Sequence, residues 1–194
     1  MTRNLFLIMI LFNSLTSLCQ TEFNEINVNN LRNDTIISNF QGINSYRFDK
    51  YELLVGIERI DKTSETRLLV LNSNKVVLKT DNPTCTCISY DIYIFKKGNQ
   101  YIIFGEQGDD GILGYDIYLL DNSLKFIGKM KYTGIQKLGD INGPRSSIIP
   151  LIKNIKKDGL KIDIEFKDEE MYQIMSNGKV KIIRGKEHTF SVDI

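Results

Sequence analysis

Four carboxylates and four glycines crowd into twelve consecutive residues, 105–116, which read GEQGDDGILGYD. Carboxylates at this density can coordinate a hard cation, bind a polar ligand, or act as acid and base in hydrolysis of a glycosidic bond. The glycines let the backbone fold closely around a bound group. We therefore identify candidate ligand-binding residues in a connecting loop, 105–114, and at the start of the strand after it: Glu106, Asp109, Asp110 and Asp116. The alternative is an ordinary solvated turn, since connecting loops are polar by default.

Metal binding and hydrolysis both require more than this loop visibly supplies. Its spacing departs from the calcium pattern Asp-x-Asp-x-Asp-Gly, because Gly108 stands where a second ligand is required. Ca²⁺ is therefore the single cofactor that we keep as a hypothesis. A glycoside hydrolase needs two carboxylates about 5 to 10 Å apart. Adjacent side chains point in different directions in most backbone conformations, so we expect a catalytic pair to unite Asp109 or Asp110 with a distant residue such as Glu106 or Asp91.

The cysteines and the single histidine also carry potential chemistry. Cys85 and Cys87 form a Cys-x-Cys motif, and in an extended strand both sulfurs project from one face. A disulfide forms only if the strand bends to bring the Cα atoms within about 6.8 Å, so a bridge and two free thiols both remain open. A zinc site would need two further ligands. The sequence around His188 shows no catalytic partner for it. We predict no metal site.

The first residues, MTRNLFLIMILFNSLTSLCQ, have the pattern of a secretory signal peptide over residues 1–19. The apolar run 5–12 is far shorter than the roughly twenty residues that a membrane-crossing helix needs. We therefore predict export to the periplasm, cell surface or medium, with no transmembrane segment in the mature chain. Cleavage after Cys19 is the first prediction. Lipid attachment to Cys19 is the alternative, although Leu18 stands where lipoprotein signals carry a small residue.

Residues 20–194 are enough for one domain with a substantial core and too few for two. Arg3 is the single charged residue in the first nineteen, so removing it takes the net charge from +1 to zero. A neutral chain without a basic patch has no electrostatic footprint for nucleic acid. We therefore predict no nucleic-acid partner.

Short runs of Ile, Leu, Val, Tyr and Phe, separated by Gly and Asn, are typical of strands and turns. Strict alternation of apolar and charged residues over 160–166 predicts a strand with one wet face. The turn Asn177-Gly178 predicts a hairpin around it. Two further hairpins are predicted, formed by 51–60 with 66–71 and by 90–95 with 100–104.

Two segments resemble each other almost residue for residue, SYDIYIF at 89–95 and GYDIYLL at 114–120. Both are apolar on both faces, which is typical of strands inside a sandwich or a barrel wall. We expect Asp91 and Asp116 to be exposed at strand starts, because carboxylates are rarely buried. The segment 146–157 is compatible with a helix capped by serine or with a strand.

We predict an all-β fold, a single antiparallel β-sandwich or barrel-like domain of successive hairpins with at most one or two short helices. The leading functional hypothesis is an exported, non-catalytic module that binds a protein or small ligand through its loops. The alternative is a carboxylate-dependent hydrolase acting on envelope or extracellular polymer, with Glu106, Asp109 or Asp116 as candidate residues. A calcium-stabilised structural domain is a third hypothesis.

Overall fold

The structure is a computed structural model that describes residues 22–32, 36–60, 63–80, 89–108, 111–135 and 145–194. Over these ranges the secondary structure consists of antiparallel strands and two short 3₁₀ turns, Ile149–Leu151 and Gly185–Glu187. This confirms the prediction of an antiparallel all-β fold. Within those ranges, no helix has the length and apolar character that crossing a membrane requires.

The strands alternate with tight turns along the whole described chain. In order they are β1 (Asn24–Ile26), β2 (Asn29–Arg32), β3 (Ile36–Ile37), β4 (Phe40–Phe48), β5 (Tyr51–Ile60), β6 (Thr63–Asn72), β7 (Lys75–Lys79), β8 (Ser89–Lys97), β9 (Gln100–Gly108), β10 (Ile112–Leu120), β11 (Leu124–Met130), β12 (Tyr132–Ile135), β13 (Arg145–Ser146), β14 (Ile152–Asp158), β15 (Lys161–Phe166), β16 (Glu170–Ile174), β17 (Val180–Arg184) and β18 (Thr189–Asp193). Several of these eighteen strands have only two to four residues.

The strands form four sheets arranged in three layers. A central sheet has the order β1-β8-β9-β10-β11, and an outer sheet has the order β2-β4-β5-β6-β7 with β3 also on β4. Two small sheets, β13-β12-β16-β17 and β14-β15-β18, together cover the other face of the central sheet. The central sheet is therefore buried on both faces.

The pleat of β9 explains how one sheet serves two cores. Successive side chains on a strand point to opposite faces. Ile102 and Phe104 accordingly pack with residues of the small sheets, such as Ile162, in the first core. Ile103 and Tyr101 pack with residues of the outer sheet in the second core. The side chains of β8 and β10 divide between the two cores in the same way, which agrees with the prediction that 89–95 and 114–120 are apolar on both faces.

The segment 22–32 connects all three layers along one edge. The Phe23 amide donates a hydrogen bond to the Ile155 carbonyl oxygen at 3.0 Å, which ties the chain to β14. The next residues form β1 on the edge of the central sheet, and β2 then pairs with β4 of the outer sheet. Between β1 and β2 the chain crosses from one layer to the next.

The predicted hairpins form as expected. Strands β5 and β6 pair from Tyr51 to Ile60, and β16 pairs with β17 around the Asn177-Gly178 turn. Strand β8 pairs with β9. The predicted strand 160–166 begins one residue later, because Leu160 belongs to the turn before it and is exposed.

The helical interpretation of 146–157 is wrong, and the strand alternative is correct. Pro150 lies in a single 3₁₀ turn, after which the chain extends into β14. The isoleucines whose spacing suggested a helix all enter the first core, namely Ile148, Ile149, Ile152 and Ile155. Over a short apolar run, the spacing of apolar residues cannot distinguish a buried strand from a helix.

Candidate functional site

The acidic stretch lies mainly in strands rather than in a loop. Strand β9 extends to Gly108 and β10 begins at Ile112, so three residues connect them. Of these, Asp109 and Asp110 lie outside the described residues. Gly114 occupies a register irregularity in β10 with φ +144°, a conformation that glycine adopts readily. The predicted loop 105–114 is therefore much shorter in the structure.

Glu106 and Asp116 point to opposite faces of the central sheet. In the register of β9 and β10, Glu106 is opposite Tyr115, and Asp116 is opposite Gly105. Tyr115 belongs to the core shared with the small sheets, whereas the next residue on β10 faces the outer sheet. Because the sheet separates these two carboxylates, they cannot flank one glycosidic bond as an acid and base pair.

Asp116 is buried, with 1% of its surface exposed, so the expectation of an exposed strand start is wrong for this residue. Its Oδ2 accepts a hydrogen bond from the Tyr90 hydroxyl at 3.2 Å. Lys129 Nζ lies 3.5 Å from Oδ1. Burial raises the pKa of the Asp116 carboxyl, and the Lys129 charge opposes that rise. Asp116 is buried because its position in β10 directs the side chain to the face of the central sheet that packs on the outer sheet, where it contacts Tyr90.

Gly105 makes room for the hydrogen bond between Tyr90 and Asp116. A Cβ atom at this glycine would lie 2.1 Å from the Tyr90 hydroxyl oxygen and 2.2 Å from Cζ. Any larger residue would push the phenol ring away from the carboxylate. Gly105 is therefore needed because the Tyr90 ring packs against its backbone, and not because the chain turns there.

Glu106 is the centre of a buried hydrogen-bond chain on the opposite face. It is 7% exposed, and its Oε2 accepts a hydrogen bond from the Tyr115 hydroxyl at 2.5 Å. The Tyr93 hydroxyl donates to Oε1 at 3.5 Å. The Tyr115 oxygen also accepts the Ile148 amide at 2.7 Å and lies 3.3 Å from Ser147 Oγ. The chain therefore runs from Glu106 through Tyr115 to Ser147.

Burial raises the pKa of the Glu106 carboxyl, and hydrogen bonds from Ser147 and Tyr115 oppose the rise. The Asp91 carboxylate adds to it, since Asp91 lies directly opposite Glu106 on β8. Asp91 is exposed, as predicted. A carboxyl with a raised pKa beside a second carboxyl is the arrangement that general acid catalysis uses. Glu106, however, lies beneath Tyr115 and does not line the cavity described below.

A cavity of about 770 Å³ opens beside Ser147. Its wall includes Gly134 of β12, the 3₁₀ turn at Pro150 and Leu151, and the bend at Asp168 and Glu169. Its volume lies within the range of small-molecule sites, roughly 300 to 1,000 Å³. The hydrogen-bond chain from Glu106 therefore ends at a cavity wall.

Charged side chains pair with one another at this cavity, and about half of each is exposed. Arg184 Nε lies 3.0 Å from Asp168 Oδ1, and Lys186 Nζ lies 2.7 Å from Asp168 Oδ2. The Lys186 hydrogen bond lowers the pKa of the Asp168 carboxyl. Ser147 Oγ accepts the Ile149 amide at 3.3 Å, which fixes the hydroxyl oxygen at the wall. The cavity thus offers an ordered hydroxyl, a cation and carboxylates beside apolar surface.

The remaining candidates lie elsewhere or outside the described part of the chain. Cys85 and Cys87 fall in 81–88 and Cys19 in 1–21, so their states stay predictions. His188 is half-buried after the second 3₁₀ turn, where its amide donates to the Gly185 carbonyl oxygen. Among the residues with described positions, no group of three or more His, Cys, Asp or Glu side chains could hold a metal ion. Calcium binding by Asp109 and Asp110 remains a prediction.

Sequence reasoning found Glu106 but missed its partners. From sequence alone, Ser147 is compatible with a helix cap, and Tyr93 and Tyr115 belong to the two similar strand segments. The single signal in the sequence is that a carboxylate inside an apolar strand needs buried hydrogen-bond partners. Nothing local could identify Ser147, which is 41 positions after Glu106.

A scan of protein-family models and searches of the curated proteins and of the solved structures find no match to this chain.

Proposed function

We propose that this protein is an exported, non-catalytic β-domain that binds a small polar ligand in the cavity beside Ser147. One observation carries the proposal, namely that a buried hydrogen-bond chain from Glu106 through Tyr115 ends at the wall of a cavity with the volume of a small-molecule site. Groups already ordered before binding lose little entropy when a ligand arrives. The network supports recognition by positioning the Ser147 hydroxyl.

The wall chemistry indicates the kind of ligand. Arg184 donates and Asp168 accepts hydrogen bonds, while Ile135 and Leu151 supply apolar surface. Residues from two loops, 147–151 and 167–169, form much of the wall, in keeping with binding through loops. A small molecule with hydroxyl or amide groups and one apolar face matches this lining better than a flat protein surface does.

Saturation binding followed by amide NMR shifts tests this function. The probes are neutral disaccharides, amino acids and dipeptides at millimolar concentration. At least one class should shift Gly134 and Ser147. Glu169→Trp places an indole in the cavity wall and should abolish those shifts, whereas Glu187→Trp, an exposed change in the other 3₁₀ turn, should preserve them. Binding that survives Glu169→Trp, or no shift with any probe, would refute the proposal.

A hydrolase is the second candidate, because Glu106 has a raised pKa and faces Asp91 on the neighbouring strand. Its enclosure beneath Tyr115 weighs against direct contact with a substrate. Assays with 4-nitrophenyl glycosides decide between the two functions. We expect no turnover by the wild type. Turnover that Glu106→Gln removes would establish the hydrolase instead.

Export rests on the signal-peptide pattern of residues 1–19. We expect the protein expressed with its own leader to appear outside the cytoplasm with a mass that begins at Gln20. Intact-mass spectrometry of the exported chain measures this. A mass increase matching a diacylglyceryl group on a chain that begins at Cys19 would show lipidation instead, and a full-length cytoplasmic product would disprove export.

A further inference from the structure

Strand β17 is an open edge of the small sheet β13-β12-β16-β17. Among the described residues it pairs with β16 alone. Four of its five residues are exposed, and only Ile183 is buried. The unpaired N–H and C=O groups of such an edge are a template for pairing with another chain. The strand Val180–Arg184 is therefore accessible to an added strand.

The backbone groups that face outward on this edge belong to alternate residues. The Gly185 amide donates a hydrogen bond to the Glu169 carbonyl oxygen, and the Met175 amide donates to the Lys179 carbonyl oxygen, both at 2.8 Å. In an antiparallel pair of strands, the residue pairs that exchange hydrogen bonds recur at every second position. The residues of β17 whose N–H and C=O groups point away from β16 are accordingly Val180, Ile182 and Arg184.

The three outward residues also direct their side chains to one face of the sheet. Successive side chains on a strand alternate between faces, so this face is opposite to the one on which Ile183 is buried. Ile182 is 54% exposed and Val180 is 38% exposed. Cross-strand contacts between β-branched and other apolar side chains stabilise a sheet. The edge thus offers apolar surface beside its open backbone.

The hairpin around this edge is positively charged, although the whole chain carries only +1. Residues 171–186 contain no Asp or Glu, and their basic residues are Lys179, Lys181, Arg184 and Lys186. Asp168 pairs with the last two. Lys179 and Lys181 are exposed, and neither forms an ion pair in the part of the chain that the structure describes. Uncompensated positive charge therefore lies at the start of β17.

This charge indicates which kind of chain can add to the edge. Like charges that face each other across two strands are destabilising, and opposite charges stabilise the pair. A second copy of β17 would bring the same lysines to the contact. Lysine on an edge strand thus discourages self-pairing and leaves pairing with an acidic strand favourable.

We propose that β17 binds an acidic segment of a partner protein, which extends the small sheet by one strand. The backbone of the segment pairs with the outward groups of Val180, Ile182 and Arg184, as in strand addition. Its apolar residues lie beside Val180 and Ile182, and the carboxylates between them lie beside Lys179 and Lys181. This interaction is separate from the ligand cavity, to which β17 contributes only Arg184.

Titration with the peptide acetyl-Val-Glu-Val-Glu-Val-amide, followed by amide NMR shifts, tests the proposal. Saturable shifts should appear at Val180, Ile182 and Arg184 and should weaken with added salt. The peptide acetyl-Val-Lys-Val-Lys-Val-amide has the same apolar residues and the opposite charge, so it should bind at least about tenfold more weakly. Equal affinity of the two peptides, or no shift with the acidic one, would overturn the proposal.

Amide hydrogen exchange shows whether the acidic peptide adds as a strand. In the free protein the outward amides of Val180, Ile182 and Arg184 should exchange rapidly. The amides of Lys181 and Ile183 should exchange slowly, because they bond to β16. The peptide should slow the three outward amides, whereas a version with every amide N-methylated should not. Binding of the acidic peptide without this protection would show charge attraction alone and would refute strand addition.

Paired lysine variants test the charge. The double variant Lys179→Gln and Lys181→Gln should weaken binding of the acidic peptide about tenfold or more. The matched control is Lys125→Gln with Lys153→Gln, which removes two exposed lysines from β11 and β14 and should leave the affinity nearly unchanged. Undiminished binding by the β17 double variant would contradict the proposal.

Val180→Pro tests the backbone pairing. Proline removes an N–H that points away from β16, so the ladder between β16 and β17 keeps its hydrogen bonds. Circular dichroism should show an intact fold, and binding of the acidic peptide should fall about tenfold. Val180→Ala keeps the N–H and should bind more tightly than Val180→Pro. Equal affinity of these two variants would exclude a paired backbone at this position.

Sedimentation of the free protein distinguishes a partner from a second copy. We expect a monomer whose outward β17 amides exchange rapidly. A dimer that protects the amides of Val180, Ile182 and Arg184 would assign this edge to self-association and would overturn the proposal.

Discussion

At the scale of single residues, the central sheet carries two buried carboxylates on its opposite faces. Glu106 faces three hydroxyl groups, whereas Asp116 faces Tyr90 and an exposed lysine. Burial is the largest cause of the raised pKa at both. A carboxyl that holds its proton more tightly when folded makes stability depend on pH.

Glu106→Gln should change that dependence in a defined direction. Because the pKa of Glu106 is above its ordinary value of 4.5 in the folded chain, its contribution is fully present below 4.5 and is lost as pH rises through the folded pKa. The variant has no proton to lose, so its free energy of unfolding should rise relative to wild type across that interval. Urea unfolding between about pH 4 and about pH 8 measures the difference.

Asp163→Asn is the matched control with the opposite sign. A hydrogen bond from Ser191, with another from Lys161, lowers the pKa of Asp163 below its ordinary value of 3.8. Its contribution is present above 3.8 and is lost as pH falls through the folded pKa, so the stability of this variant should fall relative to wild type as pH rises toward 3.8. Urea unfolding extended down to about pH 2 covers this lower interval. A constant difference for Glu106→Gln at every pH would contradict the placement of that carboxyl.

At the scale of elements, pairs of strands in the outer sheet bring together charges of very different burial. Arg67 on β6 reaches Glu58 on β5 with Nε 3.0 Å from Oε2, and both side chains are less than a tenth exposed. Its Nη1 also donates to the Thr80 carbonyl oxygen at 3.2 Å. Arg47 on β4 faces Glu52 at 3.4 Å with two thirds of its side chain exposed. The same type of pair thus occurs buried and exposed in one sheet.

Arg67→Met should therefore destabilise the fold far more than Arg47→Met. Removing one partner of a buried pair leaves the other charge uncompensated and costs about 3 to 5 kcal/mol. Lys79 Nζ also contacts Glu58, at 2.8 Å, so we expect the lower end of that range. The exposed pair should contribute less than about 1 kcal/mol. Chemical denaturation measures both, and equal effects would contradict the difference in burial.

At the scale of the whole molecule, the central sheet couples two cores that share no side chains. Ile102 and Ile103 are adjacent on β9 and fully buried, yet they pack on opposite faces. The segment 22–32 adds a connection along one edge. The three layers should consequently unfold together.

Ile102→Ala and Ile103→Ala test this coupling from the two sides. Each should lower the free energy of unfolding by roughly 2 to 5 kcal/mol, and each should shift the same single transition. Ile182→Ala, at an exposed position on β17, should change stability by less than about 1 kcal/mol. Thermal unfolding and amide hydrogen exchange measure the effect. A two-step transition in which Ile103→Ala releases the outer sheet alone would show independent layers.

The sequence by itself determined the parts that depend on local pattern. Alternation predicted β15, the Asn177-Gly178 turn predicted the hairpin of β16 and β17, and two-sided apolar strands predicted the buried central sheet. Side-chain alternation and turn conformation arise from neighbouring residues, so they can be read from a single segment.

Tertiary structure alone decided which face each polar residue meets. The two similar segments are offset by one position across β9, where Asp91 is opposite Glu106 and Asp116 is opposite Gly105. A shift of one residue in strand pairing moves every side chain to the opposite face of the sheet. Of the two matching aspartates, Asp91 is therefore exposed and Asp116 is buried. The meeting of Ser147 with Tyr115, and of Tyr46 with β8, likewise follows from the stacking of layers. Register and stacking depend on pairing between distant segments, which no local pattern encodes.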